Sequence, residues 1–349
     1  MMKTTDDSNH VIIIAEAGIN HNGDLNLARK MVYAAKEAGA DYVKFQTAVP
    51  ELVISTFAPK AEYQKETTGS EQSQLEMCRA IHLPLGDYAG LRQLCDEVGI
   101  GFMSTPFDLV SIDCLADLGM DYWKIPSGEI TNLPYLRKIA AKGGKIILST
   151  GMSTLDEVEA AVAVLEDGGI PRRDIILLHC TTQYPTPMEA VNLKAMDALR
   201  SIGCGVVGYS DHTCGIEVPI AATAMGAKVI EKHFTLDKTL PGPDHRASLE
   251  PAELTAMVTA IRNIEKALGS GEKTVTEAER PNIEVARKSI IAACPIAKGE
   301  LLTEENLTVK RPGNGISPML WDTVIGKKAP RDFLPDELIS LYSTPPITL

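Results

Sequence analysis

Short apolar runs alternate with longer amphipathic stretches along most of the chain. The first run, "VIIIA" at 11–15, is followed by "LNLARKMVYAAKEAG" at 25–39, where apolar residues recur at helical spacing before a glycine. The runs that predict strands are 11–15, 41–46, 101–105, 122–125, 145–150, 175–180, 205–210 and 228–233. The stretches that predict further helices include 85–98, 108–118, 132–142, 154–167 and 215–225. Strands that alternate with helices indicate right-handed β-α-β units and a parallel sheet.

Eight such strands are the number that closes a TIM (β/α)₈ barrel. A doubly wound open sheet is the alternative architecture. Polar residues stand at the C-terminal ends of nearly all the strands, whereas an open sheet would gather them at one crevice, so the barrel is favoured. The connection at 49–73 is long and poor in helical pattern, and we expect it to flank an active site.

The last part of the chain has a different texture. A helical stretch at 251–271 ends on a glycine, and a charged linker follows it. The remaining residues form short strand-like runs that are broken by proline and glycine. We therefore predict a barrel domain at 1–280 and a small, mostly irregular domain at 285–349.

Composition narrows the class of protein. The chain has 349 residues and a net charge of −12, which argues against nucleic-acid binding but not against an anionic substrate in a local cleft. Neither a membrane-length apolar run nor the apolar centre of a signal peptide is found, so we expect a cytoplasmic protein without a membrane partner. The seven cysteines lack a CxxC pair, which is typical of reduced thiols.

In a barrel, the residues at the C-terminal strand ends meet at one mouth, which is the catalytic face. The polar residues at or just after these ends are Glu16, Lys44, Gln46, Thr105, Lys124, Ser127, Glu129, Ser149, Thr182, Ser210, His212 and His233. This placement would explain why "KVIEKH" at 228–233 starts as a buried strand and ends in ionisable groups.

Two histidines end neighbouring strands and could hold a metal ion. Each alone is more typical of a structural residue, whereas His212 and His233 together leave two interpretations open, a pair of structural histidines or a divalent metal site with open positions for water or substrate. Asp211 could orient His212 or cap the next helix. The first strand lacks the His-x-His pair of many barrel hydrolases, so metal-assisted carbonyl chemistry fits better than hydrolysis.

Two lysines at strand ends indicate an anion site. Lys44 and Lys124 could each pair with Glu16 or Glu129, but together with the serine and threonine hydroxyls they indicate a cradle for phosphate or carboxylate. Glu16 ends an apolar strand and is a candidate for proton transfer, with a salt bridge to a barrel lysine as the alternative. A rigid turn, "LPGPDH", presents Asp244.

These residues stand in blocks that closely resemble the sialic acid synthases over nearly the whole chain. The blocks are "IIAEAGINHNGDLNLA", "VKFQT", "FMSTPFD", "WKIPSGEI", "ILSTGM", "LHCTTQYPTP", "GYSDHT", "IEKHFTLDKTLPGPDH", "ARKSIIA" and "KRPGNGISP". The resemblance implies a TIM barrel joined to a small antifreeze-like domain. It also implies homodimers in which that domain caps the partner's barrel. The implied activity condenses phosphoenolpyruvate with an open-chain N-acetylated amino sugar and releases phosphate.

The resemblance also implies roles for individual residues. His212 and His233 would hold Mn²⁺ or Mg²⁺, which polarises the aldehyde, with Glu16 in the proton relay and Glu129 near the water or metal. The carboxylate of phosphoenolpyruvate would contact Lys44, Thr105 and Lys124, and its phosphate would contact Ser127, Ser149 and Ser210. The sugar would contact Gln46, Tyr184, Asp244 and, across the dimer, Arg311.

One departure concerns the acceptor sugar. Family members often carry asparagine at one of the two positions where this chain has Thr181 and Thr182. The resemblance therefore leaves open whether Thr182 contacts the phosphate or the sugar. Threonines here also resemble the N,N'-diacetyllegionaminate branch, whose acceptor is a 2,4-diacetamido-trideoxy sugar. We predict N-acetylmannosamine as the acceptor and keep the 2,4-diacetamido-trideoxy sugar as the second candidate. A synthase for phosphorylated aldoses and a non-catalytic carbohydrate-binding protein are the remaining alternatives.

Overall fold

Eight parallel strands form a nearly closed barrel in the computed structural model, which describes residues 10–60, 65 and 73–343. The hydrogen-bonded order is β3-β2-β1-β8-β7-β6-β5-β4, so the ladder is interrupted only between β3 and β4 among the described residues. The strands are β1 (Ile12–Gly18), β2 (Tyr42–Thr47), β3 (Gly101–Pro106), β4 (Tyr122–Ile125), β5 (Lys145–Ser149), β6 (Ile175–His179), β7 (Val206–Asp211) and β8 (Val229–His233). The predicted barrel is confirmed.

Helices follow most strands and cover the outside of the barrel. In order they are α1 (Leu25–Glu37), α2 (Pro50–Val53), α3 (Gln74–Ile81), α4 (Asp87–Val98), α5 (Leu109–Leu118), α6 (Leu133–Lys142), α7 (Leu155–Asp167), α8 (Ala195–Arg200), α9 (Glu217–Ala224) and α10 (Pro251–Leu268). Three of these helices begin at N-cap residues, because Asp24, Asp108 and Thr154 accept hydrogen bonds from the first-turn amides of α1, α5 and α7. Helix α3 is not among the helices that the spacing of apolar residues predicted.

The strands have a two-residue period that separates two apolar layers. Outward side chains such as Ile13, Phe45 and Leu148 pack under the helices in the main core. A second cluster forms the floor inside the barrel and contains Ile14, Met103, Ile147, Ile176, Leu178 and Val229. One inward step beyond the floor, the side chains become polar.

The chain divides into two compact units after Gly269. The second unit contains α11 (Arg280–Ala286), the antiparallel pair β9 (Ser289–Ala292) and β10 (Leu307–Lys310), and α12 (Trp321–Val324). Its own apolar core includes Ile290, Leu302 and Phe333. Within the described residues of both units, no helix combines the length and the apolar character needed to cross a membrane.

Candidate active site

A cavity of about 380 Å³ occupies the mouth of the barrel. Side chains at or just after the ends of all eight strands contribute to its wall. The predicted site residues that line it are Glu16, Lys44, Gln46, Thr105, Lys124, Ser127, Ser149, Thr182, Tyr184, Ser210, His212, His233 and Asp244. The structure therefore brings together the predicted site residues of the barrel with the exception of Glu129.

Two buried lysines share a buried carboxylate at the centre of the cavity. Lys44 Nζ lies 2.7 Å from Glu16 Oε2 and 3.6 Å from Glu231 Oε2, and it donates to Thr105 Oγ1 at 3.0 Å. Lys124 Nζ lies 3.6 Å from Glu231 Oε1. All four charged residues are at most 4% exposed. The salt bridge considered for Glu16 is thus present, and it belongs to a network that opens on the cavity.

Glu231 is a site residue that the sequence analysis did not single out. It accepts a hydrogen bond from Ser210 Oγ at 3.0 Å, and the two residues are register partners on β7 and β8. The sequence could have predicted this position, because alternate residues of a strand point to the same side and Val229, Glu231 and His233 therefore share the inward face of β8. Glu231 carries the charge that holds both lysines in place.

The two carboxylates of this network have opposite pKa shifts. Burial raises the pKa of Glu16, and the Lys44 ammonium only partly opposes that effect. Burial also acts on Glu231, but the ammonium groups of Lys124 and Lys44 outweigh it and lower the pKa to about 2. Glu231 is therefore a permanent anion, whereas Glu16 is the carboxylate suited to carry a proton.

Hydroxyl groups and one lysine form the side of the cavity above β4, β5 and β7, which we call the hydroxyl end (Lys124, Ser127, Ser149 and Ser210). Lys124 Nζ donates to Ser149 Oγ at 2.7 Å, and the Gly151 amide donates to Ser127 Oγ at 3.0 Å. A Cβ on Gly151 would lie 2.6 Å from Thr182 Cγ2, so a glycine is needed for this approach.

The rings of the two strand-end histidines are neighbours in the cavity wall. The ring centroids of His212 and His233 are 5.4 Å apart, and Tyr184 packs against both rings. His212 Nδ1 donates to the Thr181 carbonyl at 2.7 Å, which leaves the lone pair of this imidazole on Nε2. His233 Nδ1 is buried, has no hydrogen-bond partner among the described residues, and lies 3.9 Å from Asp244 Oδ2.

Both imidazoles are neutral near pH 7. Burial lowers the pKa of His212 to about 4, and burial together with the neighbouring His212 lowers the pKa of His233. A neutral imidazole is the form that binds metals. No group of three His, Cys, Asp or Glu side chains arranged for a metal ion occurs within the described part of the chain.

Asp211 takes neither of the two roles considered for it. Its carboxylate pairs with Lys232 and accepts from the Thr213 hydroxyl at 2.9 Å, on the outward side of the strands. Lys232 Nζ also donates to the Thr213 carbonyl at 2.5 Å, and both charges are fully buried. This pair ties β7 to β8 and so fixes the spacing of the strands that carry His212 and His233.

The opposite side of the cavity is apolar. Ile19 follows β1, while Met77 and Cys78 lie on α3, and all three line the cavity beside Asp244. We call Ile19, Met77 and Cys78 the apolar end. Burial, followed by the effect of Glu16, raises the pKa of Asp244 to about 7. Burial and the Asp244 carboxylate also raise the pKa of the Cys78 thiol to about 11.

Two predicted site residues are not in the cavity wall. Glu129 lies in the turn Ser127–Glu129, where its carboxylate accepts from Asn132 Nδ2 at 2.6 Å. Arg311 is exposed on the second unit, where its Nε donates to the Ala286 carbonyl at 3.2 Å. Of the long connection at 49–73, Pro50, Val53 and Ile54 line the cavity, while 61–64 and 66–72 lie outside the described residues.

The barrel and its mouth match a known protein family. The sequence pattern of the NeuB family matches residues 31–273, and that of the SAF domain matches 287–341. The chain belongs to the NeuB family. The first match falls on the barrel and the second on the small C-terminal unit, and the resemblance to sialic acid synthases with an antifreeze-like C-terminal domain is confirmed.

Individual members of the NeuB family resemble the chain over most of its length. It is 54% identical to the N,N'-diacetyllegionaminic acid synthase of Campylobacter jejuni over 94% of this chain and 98% of that protein. The enzyme of the same name from Legionella pneumophila is 48% identical over 90% of this chain and 89% of that protein.

A solved structure of an N-acetylneuraminic acid synthetase from Leptospira borgpetersenii, in complex with citrate, also matches. It is 36% identical to this chain with a TM-score of 0.68, and the match covers 79% of this chain and 90% of that chain.

Proposed function

We propose that the protein condenses phosphoenolpyruvate with the open-chain form of an N-acetylated amino sugar, adds water and releases phosphate, giving a nonulosonic acid. The observation that carries this proposal is the meeting of Lys44, Lys124 and the hydroxyl end in one cavity with two neutral imidazoles. The ammonium groups of Lys44 and Lys124 and the neighbouring Thr105 and Ser149 hydroxyls line the cavity, and such clustered donors favour a carboxylate or phosphate ligand. The family relationship supports the same reaction class.

We propose the 2,4-diacetamido-2,4,6-trideoxy sugar as the acceptor, which would make N,N'-diacetyllegionaminate the product. The sequence alone puts N-acetylmannosamine first, but the Campylobacter and Legionella relatives are named N,N'-diacetyllegionaminic acid synthases, and we therefore reverse that order. N-acetylmannosamine remains the second candidate, supported by the name of the Leptospira enzyme.

The two histidines fit a divalent metal. His212 has its lone pair on Nε2, and His233 has a buried ring nitrogen without a hydrogen-bond partner in the described residues. We propose that these imidazoles hold Mn²⁺ or Mg²⁺ and that water and substrate complete its ligands. When bound there, the ion supplies Lewis-acid polarisation of the sugar aldehyde.

The protein's own residues position phosphoenolpyruvate for attack. Lys44, Lys124 and Thr105 would hold its carboxylate, and the serines of the hydroxyl end would hold its phosphate. C3 of the enol then forms a bond to the aldehyde carbon, and positive charge develops at C2. The carboxylate of Glu231, held between the lysines, is preorganised to stabilise that charge. Water adds at C2 and gives one proton to Glu16, which has delivered its own to the aldehyde oxygen. The hydroxyl at C2 then becomes a carbonyl as the C2–O bond to phosphate breaks, and its proton leaves with the phosphate.

Proton transfer falls to Glu16 in this proposal. Its raised pKa suits a carboxyl group that delivers a proton to the aldehyde oxygen as this oxygen becomes a hydroxyl. Gln46 Nε2 donates to Glu16 Oε1 at 3.0 Å and fixes the carboxyl group at the edge of the cavity. Glu129 has no step here because its carboxylate does not line the cavity.

The test is phosphate release from phosphoenolpyruvate with Mn²⁺ and each sugar in parallel. We expect release to depend on the sugar and to be faster with the diacetamido sugar. Product mass should show phosphoenolpyruvate carbon joined to the sugar. No release with either sugar would overturn the synthase and favour a carbohydrate-binding protein, whereas release only with a phosphorylated aldose would assign the other synthase type.

A further inference from the structure

The apolar end is part of a small hydrophobic cluster that is separate from the main core. Ile19, Met77 and Ile81 are 7%, 3% and 8% exposed, and Cys78 packs against them. Ile19, Met77 and Cys78 line the cavity, whereas Ile81 does not. One side of this cluster is therefore a wall of the binding cavity, and Ile81 forms its backing.

The wall is held in position by both of its elements. Helix α3 begins with a capping box between Ser73 and Glu76, which fixes its first turn. The β1–α1 connection packs on its last turn, because a Cβ at Gly23 would lie 2.7 Å from the Ala80 carbonyl oxygen. Ile19 and Met77 are thus presented to a ligand by a fixed arrangement.

The lining of the cavity changes from polar to apolar side chains at this wall. Glu16 and Asp244, which line the same cavity, offer carboxyl groups to the hydroxyls of a sugar, whereas Ile19 and Met77 offer no strong hydrogen-bond donor or acceptor side-chain atoms. A hydroxyl placed against such a surface loses its water partners without replacement, but a methyl group gains contact.

We propose that Ile19, Met77 and Cys78 select the acceptor by contacting its methyl groups. This inference rests on the proposed function, since it concerns the acceptor of that same reaction. The 2,4-diacetamido-trideoxy sugar carries a methyl at C6 and a second acetamido methyl at C4. N-acetylmannosamine carries hydroxyls at both positions. The wall matches the first sugar and leaves the hydroxyls of the second without partners.

The experiment compares kcat/KM for the two sugars in matched variants. Ile19→Thr and Met77→Gln keep the approximate size of each side chain and add polar atoms. We expect the wild type to prefer the diacetamido sugar by roughly 100-fold, and each variant to lower that ratio by about tenfold, the scale of one methyl contact in an apolar pocket. Ile81→Thr is the control, because it alters the same cluster behind the wall and should leave the ratio within about twofold.

The possible outcomes separate this inference from the proposed function. If the wild type prefers the diacetamido sugar but Ile19→Thr and Met77→Gln keep the wild-type ratio of kcat/KM values, the wall does not select the acceptor. The proposed synthase activity would be unaffected by that result. If Ile81→Thr lowers the ratio as much as they do, the effect is a loss of packing and the inference is overturned. Preference of the wild type for N-acetylmannosamine also overturns it. Absence of turnover with both sugars instead removes the proposed function.

Discussion

The hydroxyl end and the apolar end of the cavity differ in chemistry and in origin. At the hydroxyl end, Lys124 and Ser149 lie on neighbouring barrel strands and hydrogen-bond to each other. At the apolar end, Ile19 and Met77 come from connections between strands. Strands hold groups in fixed register, whereas connections vary without disturbing a barrel. We infer that phosphoenolpyruvate is held by the barrel itself and that the acceptor is chosen by its connections.

His233 lies between the two ends, so its loss should disable both. We expect His233→Ala to lower kcat by at least about a thousandfold, the upper range for loss of one preorganised electrostatic group, while the protein stays folded. Phosphate release and thermal unfolding measure the two effects. His179→Gln is the matched control, because this strand-end histidine contacts Tyr209 and the Val191 carbonyl outside the cavity. Full activity of His233→Ala would remove the metal assignment.

The sequence predicts the hydroxyl end far better than the apolar end, for a physical reason. A strand has a two-residue period and a defined end, so the pattern alone assigns Lys124, Ser149 and His233 to one mouth. Glu231 obeys the same period and could have been found from it. Met77 could not, because α3 lies in a long connection whose packing against Ile19 depends on contacts between distant segments.

Loss of Lys124 should affect only the hydroxyl end. Lys124→Met removes a buried ammonium that contacts Ser149 and Glu231, and the remaining groups bind an anion less well. We expect kcat/KM for phosphoenolpyruvate to fall by about a hundredfold, with little change in the apparent affinity for the sugar. Initial rates with each substrate varied in turn measure the two constants.

The control for this variant is Lys138→Met. Lys138 pairs with Asp113 on the outer helices at 2.6 Å and is partly exposed, so its loss should change neither constant. Equal losses of affinity for both substrates in Lys124→Met would show that the two ends do not act separately.

His21 supports the apolar end and should make it sensitive to acid. The ring is buried against Phe45, and its Nδ1 accepts from the Gly23 amide at 3.1 Å in the connection that carries Ile19. Burial, followed by the effect of His82, lowers the pKa of His21 to about 4. Between pH 6.5 and 4 the unfolded chain therefore binds a proton that the folded chain does not. The free energy of unfolding decreases as the pH falls through this range.

The comparison of wild type with His21→Gln isolates this contribution. Between pH 7 and pH 5, the free energy of unfolding of the wild type should fall by roughly 2 kcal/mol more than that of the variant. Denaturant unfolding at the two pH values measures the difference. If both proteins lose the same stability, His21 is not held neutral in the folded chain.

Arg311 gives the smallest expected effect and concerns the acceptor alone. It is exposed on the second unit, and the resemblance to sialic acid synthases assigns it to the N-acetyl group of a sugar bound by the partner chain. We expect Arg311→Ala to raise KM for the sugar by about tenfold, the effect of one lost hydrogen bond to a charged group, and to leave KM for phosphoenolpyruvate unchanged. Lys310→Ala, which removes the neighbouring exposed cation, should change neither constant.

The resemblance implies homodimers, and mixing two variant chains tests both the dimer and whether this contact crosses between chains. When Arg311→Ala and His233→Ala chains are combined, a crossing contact pairs an intact barrel with an intact arginine in one of the two sites of each hybrid. Sugar affinity at that site should then return to the wild-type value, although neither parent has it. If the arginine serves its own chain, every active barrel keeps the weakened affinity. An unchanged KM for the sugar in Arg311→Ala itself would already exclude both arrangements and leave acceptor choice to the barrel connections.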